Sequence, residues 1–341
     1  MKREKLNVGI IGCGYFGSNL IRNFSQISAV NLYCACDIDE NKINSVKQNH
    51  PDIRITSDYF EVLKDPEVDI VVIAVPALYH HRIAKNALIY NKHVLVEKPM
   101  TISSNEAKEL IELSDKMNKT LMVDHTLEYA EQINKMKEIV ESGELGEIYY
   151  IRADWLNLGL LQPDVNVVWD LAVHLISVLN YITNQKPVIV NANAEGFIRN
   201  NIPEIANIHI KFDKKMSAYL TVSWIEPRKT RTIIIVGSKK LLVFDLKNEE
   251  EPIKIYDKGV ELAEVDYAKQ FKVEYRYGDI YSPNIETIEP LRTMCLHFID
   301  CVINNKKPRS DGESGLKVIK VLEAIDKSLK NKGAEVILEN D

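Results

Sequence analysis

An apolar run near the end of the first third closes on two charges and a proline, Val94-Leu95-Val96-Glu97-Lys98-Pro99. A lysine at the end of such a strand, in a site shielded from water, can stabilise a developing alkoxide or tune a neighbouring base. The same residue is also what a solvated strand end looks like. A second constellation lies in VNVVWDLAVHLISVLNYI, where Asp170 and His174 stand four residues apart. That spacing puts both on one face of a helix, and imidazole titrates close enough to neutrality for acid–base work. Their neighbours Leu171, Val173, Ile176, Val178 and Leu179 are apolar. The pair must therefore satisfy itself, carboxylate to imidazole, or line a cavity. Among eight histidines the close pair is His80-His81, and adjacent positions of a helix do not share a face. No metal site is expected.

A third group stands at the start of the chain. LNVGIIGCGYFGSNLIRNF sets Gly12, Gly14 and Gly17 in a G-x-G-x-x-G pattern, with Tyr15 and Phe16 between the last two. The pattern alone is weak, because a tight turn between a strand and a helix needs no ligand. Its context is stronger. An apolar strand precedes it, and a helix with Leu20, Ile21 and Phe24 on one side follows. Gly12 would make the turn, Gly14 would admit a pyrophosphate, and Gly17 would let helix and strand pack closely. The helix N-terminus would supply free N–H groups and partial positive charge. Asp37 follows at the end of the second strand, where a carboxylate accepts from ribose hydroxyls and repels a 2′-phosphate. Ile38 and Asp39 come next, with no arginine. A dinucleotide cradle for NAD rather than NADP is the reading.

These residues need a scaffold. Apolar runs of strand length (NVGIIG, VNLYCACD, DIVVIAV, HVLVEK, TLMVDH) alternate with helical stretches near Ser18–Ile27, Glu40–Asn49, His81–Tyr90 and Ser103–Met117. Strands that are apolar throughout are buried on both faces, the habit of parallel sheets covered by helices. A doubly wound α/β domain over residues 1–123 is predicted. From residue 124 strands dominate: Ile148–Trp155, Val188–Ile198, Ile205–Phe212, Ser217–Ile225, Thr232–Val236 and Leu241–Asp245. Helices are expected near Glu128–Ser142, Trp169–Ile182, Leu291–Asn304 and Ser314–Lys330. An α+β domain with a mostly antiparallel open sheet over 124–341 follows. One face of that sheet needs cover, so self-association into a dimer or tetramer is expected.

Lys plus Arg is 43 against 49 Asp plus Glu, a net charge of −6. A mildly acidic chain without a basic run is a poor partner for nucleic acid. No apolar segment approaches the length of a membrane span, and no signal-peptide pattern precedes the glycine turn. Five cysteines without a C-x-x-C pair suit free thiols in a reducing cytoplasm.

The run PALYHHRIAKNALIYNKHVLVEKP, with Pro76, His80 and the closing Glu97-Lys98-Pro99, resembles the Gfo/Idh/MocA oxidoreductase family, and the likeness extends over essentially the whole chain. The resemblance implies a dinucleotide domain followed by an open-sheet α/β domain, with Lys98 catalytic. Glu97 and Pro99 would shape the cofactor pocket; Val75, Pro76 and His80 would border the nicotinamide ribose. The D-x-x-x-H pair would lie in the cleft between domains, with His174 as general base and Asp170 orienting it or binding a hydroxyl. Ala172 departs from the glycine the family often carries there. His125, Asn157, Gln162, Asn166 and Trp169 are candidate substrate contacts. The expected reaction is hydride transfer between NAD and a secondary alcohol of a sugar, with nucleotide sugars favoured. A cyclitol or free-sugar dehydrogenase and a non-catalytic NAD-binding regulator are the alternatives.

Overall fold

A computed structural model describes residues 5–159, 161, 165–199, 201–264 and 271–338; Gln162 lies outside them. The first stretch alternates as the pattern predicts: β1 (Leu6–Ile11), α1 (Tyr15–Ser25), β2 (Val30–Cys36), α2 (Glu40–Asn49), β3 (Arg54–Thr56), α3 (Tyr59–Lys64), β4 (Ile70–Ile73), α4 (His80–Ile89), β5 (His93–Glu97), α5 (Ser104–Met117) and β6 (Leu121–Asp124). Strand β3 and helix α3 were not foreseen. Both are short, and α3 is announced mainly by Asp58, whose carboxylate accepts from the Phe60 N–H as an N-cap. The strands form one parallel sheet in the order β3-β2-β1-β4-β5-β6. β4 is fully buried, and β1 and β5 are buried except at their first residues.

The second stretch runs α6 (Glu131–Glu141), β7 (Ile148–Leu158), a π-helical turn (Val168–Ala172), α7 (Val173–Thr183), β8 (Pro187–Glu195), β9 (Ile205–Phe212), β10 (Ser217–Ser223), β11 (Ile225–Gly237), β12 (Leu241–Asp245), β13 (Ile253–Glu264), β14 (Phe271–Tyr281), α8 (Pro290–Asn304), α9 (Gly312–Lys330) and β15 (Val336–Ile337). Its sheet is ordered β14-β13-β12-β11-β7-β10-β9-β8-β15 and is antiparallel except where β10 runs parallel to β7. The fold class read from the residues is the one observed: a Rossmann-type parallel sheet, then a mostly antiparallel one. β13 and β14 lengthen the second sheet beyond the expected strands.

Two compact units result, Met1–Ala130 with Ile288–Lys320, and Glu131–Thr287 with Val321–Asp341. In the first, α8 returns to the parallel sheet. Met294, Cys295, Phe298 and Ile299 join Val8, Ile10, Leu20, Phe24 and Leu95 in one buried cluster. In the second, α7 is buried along most of its length. Inward positions of the sheet (Ile151, Ala153, Ile208, Leu220, Val222, Ile233, Ile235) are closed to solvent, while Tyr150 and Tyr219 on the other face are exposed and His209 stacks on Tyr219 at 4.7 Å.

Phe298 tests whether α8 belongs to the first core. Phe298→Ala should remove about 3–5 kcal/mol from unfolding, measured by urea denaturation. A loss under about 1 kcal/mol would mean α8 is not part of that core.

Candidate active site

At the C-terminal end of β1 the chain turns through Gly12, whose φ of +97° is a left-handed value that side chains rarely adopt. A Cβ on Gly12 would overlap the Ala74 carbonyl, and one on Gly17 would overlap the carbonyl of Gly12, so strand and helix meet backbone to backbone. Gly14 differs: nothing lies within 4 Å of where its Cβ would point. It is the N-cap of α1, no side chain caps it, and the first turn of α1 carries no acidic residue. The positive end of that helix is therefore left for an anion. Asp37 is pinned beside it, accepting from the Cys13 N–H at 2.7 Å and the Asp39 N–H at 2.9 Å. Tyr15, Phe16 and Ile38 stand exposed around this turn, Ile38 at 90%. An open backbone, an uncapped helix end, a fixed carboxylate and exposed apolar side chains fit a dinucleotide.

The β4 and β5 ends meet through His80, with Nδ1 2.7 Å from the Pro99 carbonyl oxygen and Nε2 2.8 Å from that of Val75. It thereby ties the Val75-Pro76 turn to the Glu97-Lys98-Pro99 segment, whose Lys98–Pro99 peptide is cis. Lys98 is half-buried, and its Nζ lies 6.0 Å from the centre of the Phe16 ring, which brings the ammonium to the glycine turn. Glu97 and Asp124 are buried behind it. Burial, then the Asp124 charge, holds the Glu97 carboxyl well above the usual range. His125 is 2% exposed, and neither ring nitrogen has a hydrogen-bond partner among the described residues. Burial, aided by the Lys98 charge, pushes its pKa down to about 3, so the imidazole is neutral.

In the second unit Asp170 sits within the π-helical turn and His174 in the first turn of α7, both half-buried. Such turns recur at functional sites because they widen the helix and re-aim its side chains. Asp170 accepts from the Trp224 indole N–H at 2.9 Å. The His174 ring lies 6.4 Å from that of Trp155, tilted by 32°. Asn166 spends its carbonyl oxygen on the backbone N–H groups of Val168 and Trp169, and the Trp169 indole donates to Asp326. Both fix the start of the helix that carries Asp170.

Residues 6–125 match the family described as "Oxidoreductase family, NAD-binding Rossmann fold", and residues 133–243 match the GFO/IDH/MocA C-terminal domain. The chain is a member of the Gfo/Idh/MocA oxidoreductase family. It is 24% identical to the uncharacterized oxidoreductase YrbE of Bacillus subtilis, over 96% of this chain and 95% of that protein. It is 23% identical to the myo-inositol 2-dehydrogenase of Thermotoga maritima, over 96% of this chain and 97% of that protein. The fold is shared with the UDP-N-acetylglucosamine 3-dehydrogenase GnnA of Acidithiobacillus ferrooxidans, with a TM-score of 0.80 at 19% identity over 96% and 98% of the two chains. As a Gfo/Idh/MocA protein the chain is an NAD-binding oxidoreductase. No helix among its described residues is long and apolar enough to cross a membrane.

One buried cation beside the candidate residues of this Gfo/Idh/MocA protein is absent from the sequence-based expectations. Arg231 is 8% exposed, stacks over Trp155 at 4.5 Å, and donates to the carbonyls of Leu156 and Thr230 and to the Asn157 side chain. Burial, opposed by the Asp170 charge, lowers its pKa to about 10. The signal was present: Arg231 keeps the inward phase of Ile233 and Ile235 along β11.

Gly14 separates fold from ligand. Gly14→Ala meets no protein atom, so the melting temperature should hold within a degree or two while NAD affinity drops about tenfold or more. Calorimetric titration with NAD checks this, and unchanged affinity would remove the cradle from the account.

Proposed function

We propose that this protein is an NAD-dependent dehydrogenase that moves hydride between nicotinamide and a secondary alcohol of a sugar, with nucleotide-activated sugars the favoured class. The observation that carries the reading is the half-buried Lys98 ammonium beside Phe16, inside the glycine turn that would hold the dinucleotide. Gly12, Gly14, Tyr15, Phe16, Gly17 and Asp37 would hold the cofactor's phosphates and adenosine ribose, and Val75, Pro76, His80, Glu97 and Pro99 its nicotinamide end. Nicotinamide bound there supplies the hydride acceptor.

The protein's own groups manage the proton and the charge. Lys98 directs its ammonium at the substrate oxygen and stabilises it as an alkoxide. His174 takes the hydroxyl proton. Asp170, anchored by Trp224, fixes the local geometry or binds an adjacent hydroxyl. His125 and Asn157 are substrate contacts in this reading, whereas Asn166 and Trp169 act by holding the Asp170 turn. Asp37 favours NAD, because its carboxylate would repel a 2′-phosphate. Cofactor binding falls to the first unit and most substrate contacts to the second. Self-association as a dimer or tetramer through the Tyr150–Tyr219 face, and a cytoplasmic setting for five buried free thiols, complete the reading. Similarity to an inositol dehydrogenase over nearly the whole chain supports cyclitols as the second class.

A panel of nucleotide sugars, free sugars and inositols, followed with NAD at the NADH absorbance, should give turnover with at least one nucleotide sugar. Lys98→Ala should lower kcat about 10²–10⁴-fold while NAD affinity stays within a few-fold. Full activity in that variant would end the proposed role.

A further inference from the structure

Glu97 and Asp124 end neighbouring parallel strands and face one another directly in the β5–β6 register. They are 8% and 3% exposed, and each carboxyl acts on the other. Two like charges buried side by side on adjacent strands cannot both persist, so the pair shares one proton. The remaining partners say where it rests. Glu97 also accepts from the Lys98 backbone N–H. Asp124 accepts from the hydroxyl of Thr126. That donor favours the negative charge on Asp124, while burial and the Asp124 charge hold the proton on Glu97.

Other ionisable groups act on the pair. Lys98 follows Glu97 and is the cation whose charge acts on both carboxyls. His125 follows Asp124 and is neutral. From α8, Cys295 faces both carboxyls, and burial holds its thiol well above the usual range. A second negative charge on the buried pair would be strongly disfavoured.

We propose that Glu97 and Asp124 form a single acid–carboxylate unit that keeps one proton and one negative charge beside Lys98, which makes Asp124 a positioning residue for the ammonium. The catalytic consequence rests on the role given to Lys98 above; the existence of the unit does not. Either carboxyl can carry the charge alone. Glu97→Gln leaves Asp124 ionised, and Asp124→Asn lets Glu97 ionise against Lys98. Only the double substitution removes both carboxyls from beside the ammonium.

Two measurements on the full-length protein test this. Infrared spectra at neutral pH should contain the C=O stretch of a protonated carboxyl, and both single variants should lack it. In turnover, each single variant should lose up to about tenfold in kcat, and the double variant should fall about 10–100-fold below the product of the two single effects. Packing alone would give effects that multiply. Absence of a band that either substitution removes, or effects that simply multiply, overturns the proposal. If the double variant does not fold, the infrared comparison with the single variants decides. Retained turnover in Lys98→Ala would defeat the proposed function and leave the infrared result to judge the pair separately.

Discussion

The approach of two backbones at Gly12 and Gly17 is the constraint on which the first unit's site depends. With no Cβ at either position, the start of α1 closes onto the end of β1, and the Asp37 carboxylate locks the turn by accepting from Cys13. That closure sets where the helix end points its free N–H groups. It also places Phe16 beside the Lys98 ammonium. The helix is held from its other side by Leu20 and Phe24 in the cluster that Phe298 of α8 completes. A shift of α1 would thus move the phosphate cradle and the neighbour of the lysine together.

Ionisable groups with shifted titration gather around the candidate site residues of each unit. In the first, Lys98 faces the Glu97–Asp124 pair while burial keeps His125 and Cys295 neutral. In the second, the Arg231 guanidinium is buried on Trp155 and feels the Asp170 carboxylate, which Trp224 holds. Perturbed groups concentrated in this way are expected at reaction sites, where protonation states must be set before substrate arrives.

The architecture was legible because burial leaves a mark on the order of residues. Continuously apolar runs gave the parallel strands, and α2 was read to its observed ends at Glu40 and Asn49. Gly12, Gly14, Gly17 and Asp37 could be read as one group because turn, helix and second strand follow at fixed spacings. Features that depend on pairing could not. The Glu97–Asp124 contact exists only because β5 and β6 lie side by side in register, and the return of α8 to the first unit leaves no sign in local periodicity. The π-helical turn at Val168–Ala172 likewise leaves no mark in the apolar spacing around Asp170 and His174. Asn166 and Trp169 are polar-tipped residues near a candidate site, yet their bonds are spent on the helix start and on Asp326.

The central claim is that hydride passes from a sugar carbinol carbon to nicotinamide on this protein. A nucleotide sugar deuterated at its ring carbinol carbons, turned over with NAD and followed by mass spectrometry and NMR of the reduced cofactor, tests it most directly. One deuterium at nicotinamide C4 is expected for each turnover. Product formation with the label lost to solvent would contradict it.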